Sequence, residues 1–349
     1  NNVAAGADVD VVATVGGGGS PTVNLAYKIG FAGDVTISMF DDGAHNDGSA
    51  GDNVYGATIP GQPVNTLVRF KISATNGSGT GTSPSADDSM NYNGYYVKDP
   101  SVTSEAPILY WFMEDSDYET MYDEADLIID NPYPVVFVYG DDVYDNAIVK
   151  TKGSNTRYNP KKSLKVNLPS GYTMNFPDMP APLKEFQLNA NFLSADVARY
   201  TTVFWAMKQA GLPSPDVKVS QLMRNGQFEG AYTVVDKYYS GWRNQYGFND
   251  GQIYEGPFIV NGALDSSDYQ AWRTRWMVDR KDAARRGDIL DDANLPGMYN
   301  YMAMAAITHH HDFNAQQNIF YYRDDDTARW QALPWDHDQD FVIGSPRNM

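Results

Sequence analysis

The chain has no cysteine among its 349 residues, which excludes disulfide bonds, thiolate metal sites and cysteine nucleophiles. Basic residues are also scarce, because 26 Lys and Arg stand against 44 Asp and Glu, giving a formal net charge of −18. Such a chain repels phosphate backbones, so we expect no nucleic-acid partner. Long apolar runs are missing as well. No stretch approaches the roughly 18 apolar residues of a membrane-spanning helix, so we expect no membrane span in this chain.

The composition is rich in Asp, Asn, Gly and Tyr. Together with the lack of cysteine, it predicts a protein that is secreted or displayed at a bacterial cell surface. The chain starts at Asn1 rather than at Met, as expected for a processed or partial chain without its signal peptide. Residues 345–349 have no capping or tail character, so we expect the last domain to be incomplete.

A length of 349 residues exceeds that of one ordinary hydrophobic core, which predicts a multidomain chain. Residues 1–98 alternate apolar and polar side chains in short runs such as Val23–Lys28 and Val68–Ser73, between turns rich in Gly, Asp and Asn. This pattern predicts antiparallel strands, and therefore an all-β immunoglobulin-like sandwich. Residues 99–103 are the expected linker to a second domain.

The second domain, residues 104–349, mixes strand and helix patterns, which predicts an α+β fold. Strands are expected at 135–139 and 162–168, and the pair Asn225–Gly226 predicts a tight hairpin turn. Helix signals occur twice. The first helix is expected to begin at Ser194, to place Val197, Tyr200, Phe204 and Met207 on one face, and to stop at Gly211; the second runs from near Pro296 towards Thr308.

One loop of the first domain concentrates four carboxylates: Asp41, Asp42, Asp47 and Asp52. Their spacing differs from that of an EF-hand, but a loop of this kind can bind Ca²⁺, which is abundant outside cells. The alternative is an Asp- and Gly-rich turn whose side chains hydrogen-bond to their own backbone. The sequence leaves both interpretations open.

Residues 308–338 form the most informative segment of the second domain. Their pattern predicts a helix end, a polar loop, a strand, an acidic turn, a second strand and an acidic loop. If residues 318–323 pair with residues 330–334 as an antiparallel hairpin, Asn318 and Asp336 lie at the same edge.

Four polar side chains are therefore expected to converge near this edge: Asp312, Asn318, Asp336 and Asp338. Carboxylate and amide oxygens suit Mg²⁺ or Mn²⁺ and leave positions for water and phosphate. Kinases use the same order along the chain, with an Asp that orients the attacking hydroxyl, then an Asn and a later Asp that hold metal.

The run His309–His311 raises the question of a zinc site. Consecutive residues at a helix end point about 100° apart and cannot all face one ion, so we expect no zinc there. His311 is interpreted as a packing neighbour of Asp312. The acidic turn Asp324–Asp326 is interpreted as a solvated hairpin end.

Several blocks resemble, in their order along the chain, the spore-coat-protein-H (CotH) kinase family. Lys152–Arg157 and the following Pro160–Ser163 are similar to the family's Arg-Gly-Asn-Ser-containing turn and Pro-Lys-Lys-Ser strand. Further similar blocks follow in the order of the family: Leu188–Phe192, Arg199, Gly211–Pro213, Asn225–Gly226, Gly230–Tyr232 and Pro334–Asp338. The last of them is similar to the family's Pro-Trp-Asp-x-Asp motif. The resemblance covers most of residues 104–344.

The resemblance implies an atypical protein-kinase-like domain that uses ATP with Mg²⁺ or Mn²⁺ to phosphorylate Ser or Thr of extracellular or coat proteins. It assigns Asp312 as the catalytic carboxylate and Asn318, Asp336 and Asp338 as metal ligands. It also implies a nucleotide-binding set that consists of a turn, two lysines and a carboxylate: Gly153, Ser154, Arg157, Lys161, Lys162 and Asp236.

A second hypothesis stays open. Lys152, Asp236 and Glu255 stand where the family usually has Arg, Glu and Lys, and the chain carries 24 tyrosines. A kinase-like domain that has lost catalysis and serves as a structural or adhesive surface unit fits these features, and a metal-dependent hydrolase is a third hypothesis. For Lys161 and Lys162, the alternative is a pair of exposed edge charges. Expected partners are protein substrates, other surface proteins or further copies of the chain.

Overall fold

A computed structural model describes residues 3–153, 155–192, 197–238, 240–255, 258–261, 267–278, 282–283, 285–310, 318–338 and 340–341. The chain forms two compact units. The first comprises Asn1–Tyr158, Leu164–Met174 and Ser220–Ala231, and the second comprises Asn159–Ser163, Asn175–Val219 and Tyr232–Met349.

The first unit begins with seven strands: β1 (Val9–Thr14), β2 (Thr22–Ile29), β3 (Val35–Ser38), β4 (Val54–Ile59), β5 (Thr66–Asn76), β6 (Gly79–Ser83) and β7 (Asn93–Val97). β1 pairs with β4, and the others form a sheet in the order β3-β2-β5-β6, with β7 also on β5. Buried and less buried side chains alternate along β2, as the period of a strand requires. The expected all-β character of residues 1–98 is present, and the immunoglobulin-like topology stays a prediction.

Eleven further strands and six helices follow among the described residues. They are β8 (Ile108–Phe112), α1 (Asp115–Asp126), β9 (Tyr133–Tyr139), β10 (Asp142–Lys152), β11 (Ser163–Asn167), β12 (Glu185–Asn189), α2 (Ala198–Gln209), β13 (Val217–Arg224), β14 (Gln227–Asp236), α3 (Ser240–Gln245), β15 (Gln252–Glu255), β16 (Phe258–Asn261), α4 (Ser267–Val278), α5 (Arg285–Asp291), α6 (Leu295–Ile307), β17 (Ile319–Arg323) and β18 (Trp330–Pro334). None of the helices in the described part is long and apolar enough to cross a membrane.

The first unit does not end at the predicted linker, residues 99–103. Leu67 of β5 and Tyr96 of β7 share one buried apolar cluster with Tyr110 of β8 and Val136 of β9. The Arg69 guanidinium also donates a hydrogen bond of 2.9 Å to the Asp145 carboxylate in β10, and both side chains are largely buried. These contacts join residues far apart in sequence, so local composition could not reveal them.

The second unit has a core rich in aromatic side chains, including Trp242, Trp330 and Tyr254. Its main sheet has the strand order β16-β15-β17-β18. The predicted helices are confirmed as α2 and α6, although Ser194 lies outside the described residues. α6 begins as its sequence predicts, because the Asn294 side chain accepts a hydrogen bond from the Gly297 amide and a proline occupies the first turn.

The hairpin predicted for residues 318–323 and 330–334 is confirmed as β17 and β18. The strands are antiparallel, with Ile319 opposite Pro334 and Arg323 opposite Trp330. The side chains of Ile319, Phe320, Tyr321 and Tyr322 are all buried, so both faces of β17 lie within the unit. A strand that is buried on both faces has a fixed register.

Two adjacent valines of β1 allow a test of which strand face lies in the core of residues 1–98. Val11 is 7% exposed and Val12 is 51% exposed. Val11→Ala should lower the free energy of unfolding by about 1.5 kcal/mol, because two buried methyl groups are lost. Val12→Ala should change it by less than about 0.5 kcal/mol. Urea unfolding of the full chain measures both, and equal effects would contradict the assigned strand faces.

Candidate functional site

Polar side chains line one face of neighbouring strands in the second unit. Ser163 donates a hydrogen bond to the Asn189 side chain, 3.2 Å away, and accepts one from the Ala190 amide at 2.9 Å. Asn189 lies opposite Thr233 in the pairing of β12 with β14, so these side chains share a face. All are nearly inaccessible to solvent. We call Ser163, Gln187, Asn189 and Thr233 the polar strip.

Two buried charged residues belong to the same region. Lys162 directly precedes β11 and is 3% exposed, and Asp236 ends β14 and is 1% exposed. Side chains alternate along a strand, so Asp236 lies on the face of β14 opposite to Thr233. Burial of charge is costly unless it is compensated. The unit therefore buries a lysine at the start of β11 and a carboxylate at the end of β14.

The β17–β18 hairpin brings Asn318 and Asp336 to one edge. Asn318 directly precedes Ile319, whose partner is Pro334, and Asp336 follows two residues after that partner. Asn318 has φ 61° and Asp336 has φ 54°. Asn and Asp tolerate this left-handed conformation better than other side chains do, and it recurs at functional sites. Both side chains are partly exposed.

We call Asn318, Asp336 and Asp338 the acidic segment, and a buried tyrosine of α2 responds both to it and to the polar strip. Burial raises the pKa of Tyr200 well above its usual range, and the negative charges of Asp336 and Asp338 raise it further. The Asn189 side chain acts on the same hydroxyl in the opposite direction. Asn189 of the strip and the two carboxylates therefore all act on the pKa of one buried phenol. The sequence had indicated Tyr200 only as a core residue of its helix.

A cluster of two histidines and an aspartate lies beside the acidic segment and was missed in the sequence. The Asp340 carboxylate accepts hydrogen bonds from Nδ1 of His310 at 2.7 Å and from Nδ1 of His337 at 2.9 Å, with all three side chains fully buried. Burial lowers the pKa of His337. Burial acts to raise the pKa of Asp340, but the histidine hydrogen bonds outweigh it and hold the pKa at about 2.

Residues 149–292 match the family model described as CotH kinase protein. Over this segment the chain is similar to the CotH kinase family. The resemblance inferred from short blocks is thereby confirmed, and a kinase-like function follows from it. The CotH segment, residues 149–292, contains Lys162, the polar strip, Tyr200 and Asp236. No curated protein matches the chain.

At the start of the CotH segment, the turn at 153–157 lies in the first unit. The Arg157 guanidinium donates to the carbonyl oxygens of Gly153 at 2.5 Å and Ile129 at 3.1 Å, and lies 3.4 Å from the Asp130 carboxylate. Arg157 thus holds the turn, in which Gly153 has φ 103°. Its contact with phosphate stays a prediction, and Ser154 lies outside the described residues.

Lys161 of the CotH segment is bound locally. Its ammonium group donates to the Ala190 carbonyl at 2.9 Å and lies 4.1 Å from the centre of the Tyr232 ring. Its neighbour Lys162 is more deeply buried. The predicted catalytic residue, Asp312, lies outside the described residues. Metal binding by Asn318, Asp336 and Asp338 stays a prediction.

The carboxylates of the 41–52 loop in the first unit bind the backbone of their own loop. Asp47 accepts from the amides of Asp42 at 2.6 Å, His45 at 2.8 Å and Gly43 at 2.9 Å, and Asp41 accepts from three amides at 51–53. Asp42 and Asp52 bond to amides within two or three residues. These bonds favour the turn interpretation, and Ca²⁺ binding stays a prediction.

The Asp47 carboxylate makes the stability of this loop dependent on pH. Hydrogen bonds from backbone amides, that of Gly43 foremost, lower its pKa from 3.8 to about 2 although burial acts in the opposite direction. A lowered folded-state pKa contributes stability above the unfolded pKa and loses it as the pH falls through the folded pKa. The free energy of unfolding of wild type should therefore approach that of Asp47→Asn between about pH 4 and pH 2.

Urea unfolding of both proteins across this pH range measures the difference between their free energies of unfolding. A difference that stays constant from pH 4 to pH 2 would contradict the role given to the Asp47 carboxylate.

Proposed function

We propose that this protein is a secreted protein kinase that transfers the γ-phosphate of ATP to Ser or Thr side chains of extracellular or coat proteins. The observation that carries the proposal is the match of residues 149–292 to the CotH kinase protein model. The β17–β18 hairpin supports it, because it brings Asn318 and Asp336 to one edge of the second unit.

The acidic segment fits a divalent cation by its donor chemistry. Asn318, Asp336 and Asp338 offer carboxylate and amide oxygens, which Mg²⁺ and Mn²⁺ prefer, and all three are partly exposed. A bound ion would neutralise charge on the β- and γ-phosphates. Such neutralisation matters here because the chain has a formal net charge of −18 and would otherwise repel a nucleotide.

The remaining roles in the proposal belong to residues of the chain itself. The Lys162 ammonium group would bind the phosphates, and the Asp236 carboxylate would orient it. Asp312 would accept a hydrogen bond from the attacking hydroxyl and align it with the γ-phosphorus. Protein substrates, including other surface proteins or copies of this chain, are the proposed partners.

A second candidate is a kinase-like structural or adhesive unit without catalysis. It draws support from Arg157, whose guanidinium is bonded within the turn that was expected to cover the phosphates. Incubation with labelled ATP separates the two candidates. A kinase labels itself or casein in the presence of Mg²⁺ or Mn²⁺, and Asp312→Ala abolishes the label. Absence of both labelling and nucleotide binding would favour the structural unit.

Asp336→Asn tests the metal role in the same assay. The substitution keeps the size of the side chain but removes a negative charge, so phosphoryl transfer should fall at least about 100-fold. Asp325→Asn, in the exposed acidic turn between β17 and β18, is the matched control and should retain activity. If both variants phosphorylate casein at the wild-type rate, Asp336 is not a metal ligand of the reaction.

Lys162→Met tests the nucleotide role. Hydrogen bonds to charged groups contribute about 1.5–3 kcal/mol, so the KM for ATP should rise about 10- to 100-fold. The exposed Lys184→Met serves as the control for loss of one positive charge and should leave KM unchanged. Near-UV circular dichroism verifies the fold of each variant. An unchanged KM in folded Lys162→Met would remove Lys162 from the nucleotide site.

A further inference from the structure

The buried side chains of His310, His337 and Asp340 form what we call the histidine clamp. One ligand-type atom from each lies within 4.8 Å of the others. The imidazole centres are 4.0 Å apart and the ring planes differ by 33°. Since the two oxygens of Asp340 already accept one Nδ1–H from each ring, we assign a hydrogen-bonded clamp rather than a metal site.

The clamp is anchored at the end of α6. His310 lies three residues beyond that helix, and its backbone amide donates to the Ala305 carbonyl at 2.9 Å. The Phe341 amide, on the other side of the clamp, donates to the Thr308 carbonyl at 2.8 Å. Side-chain and backbone bonds therefore fasten the segment after β18 to a helix whose inner face is buried in the core of the unit.

In the sequence, His337 lies between Asp336 and Asp338. His337 is fully buried against the rings of Phe204 and Tyr301, whereas both aspartates are partly exposed. The exposures therefore separate the inward-held histidine from its two neighbours, whose carboxylates remain accessible to an approaching ion.

We propose that the histidine clamp is a positioning device that fixes the carboxylates of Asp336 and Asp338 for metal binding. This inference rests on the proposed function. Groups that orient metal ligands from behind commonly change metal affinity 10- to 100-fold when they are replaced, although they never touch the ion. His310, His337 and Asp340 are assigned here as positioning residues, without direct contact with metal or nucleotide.

Asp340→Asn isolates this role, because it keeps the shape of the side chain. An amide offers one acceptor oxygen, whereas two Nδ1–H groups each need an acceptor, so one histidine loses its partner. With a non-hydrolysable ATP analogue present, the affinity for Mn²⁺ should fall about 10- to 100-fold, measured from the electron paramagnetic resonance signal of free Mn²⁺. His309→Gln, an exposed neighbour of His310, should bind Mn²⁺ like wild type.

The outcomes separate positioning from simple stabilisation. If the clamp only stabilises the fold, Asp340→Asn would lower the urea midpoint of unfolding. Its Mn²⁺ affinity at urea concentrations well below the transition would then equal that of wild type, which would overturn the proposal. If Asp340→Asn does not fold, the pair His337→Gln and His337→Leu decides. His337→Gln keeps an N–H donor at this position, so this variant should bind Mn²⁺ more tightly than His337→Leu does. Equal affinities of the two variants would overturn the proposal.

Failure of the proposed function gives a different result. In that case wild type itself binds no Mn²⁺ with the nucleotide analogue, or Asp336→Asn binds it unchanged, and the kinase assignment and the clamp are overturned together. Wild-type binding that is lost in Asp336→Asn but retained in Asp340→Asn overturns the clamp alone.

Discussion

Burial of two opposite charges, Lys162 beside β11 and Asp236 in β14, is the constraint that shapes the second unit. Lys162 and Asp236 are almost inaccessible to water, yet each would be more stable in solvent if nothing compensated its charge. The strands around them must therefore supply hydrogen bonds and charge partners at fixed positions. The buried side chains of the polar strip need hydrogen-bond partners as well. A well-packed apolar core would serve stability at least as well, so retention of these charges suggests a chemical use.

The acidic side of the site depends on a different kind of constraint, which is register. β17 is buried on both faces, so it cannot slip by one residue without turning its side chains to the wrong side. That fixed pairing brings Asn318 and Asp336 to one edge. The histidine clamp then sets the direction of the segment that follows. Asn189 and the carboxylates of Asp336 and Asp338 all act on the pKa of the buried Tyr200 hydroxyl.

Elements with local signals were predictable from the sequence, and elements that depend on distant contacts were not. The β17–β18 hairpin, α6 with its proline in the first turn, and the alternating strand β2 all follow from short-range rules. The extension of the first unit beyond residue 98 depends on Arg69 and Asp145, which are 76 positions apart. No local pattern reports such a pair.

The residues of the candidate site also fall into those with local sequence signals and those that depend on distant contacts. Asn318 and Asp336 were found from strand pairing alone, whereas the use of Arg157 inside its own turn required knowledge of Ile129 and Asp130. The histidine clamp combines a local sequence signal with a contact to a distant residue. His337 and Asp340 are only three residues apart and offered a weak signal, but His310, the second histidine bonded to Asp340, comes from the end of another element.

The central claim is that the buried charges and the acidic segment of the second unit form one nucleotide and metal site. Anomalous diffraction from crystals grown with Mn²⁺ and a non-hydrolysable ATP analogue tests it most directly. The account predicts a manganese peak bound by Asp336 and Asp338, with the phosphates of the analogue between this ion and the Lys162 ammonium group. An ion or nucleotide bound elsewhere, or a nucleotide that touches neither group, would contradict it.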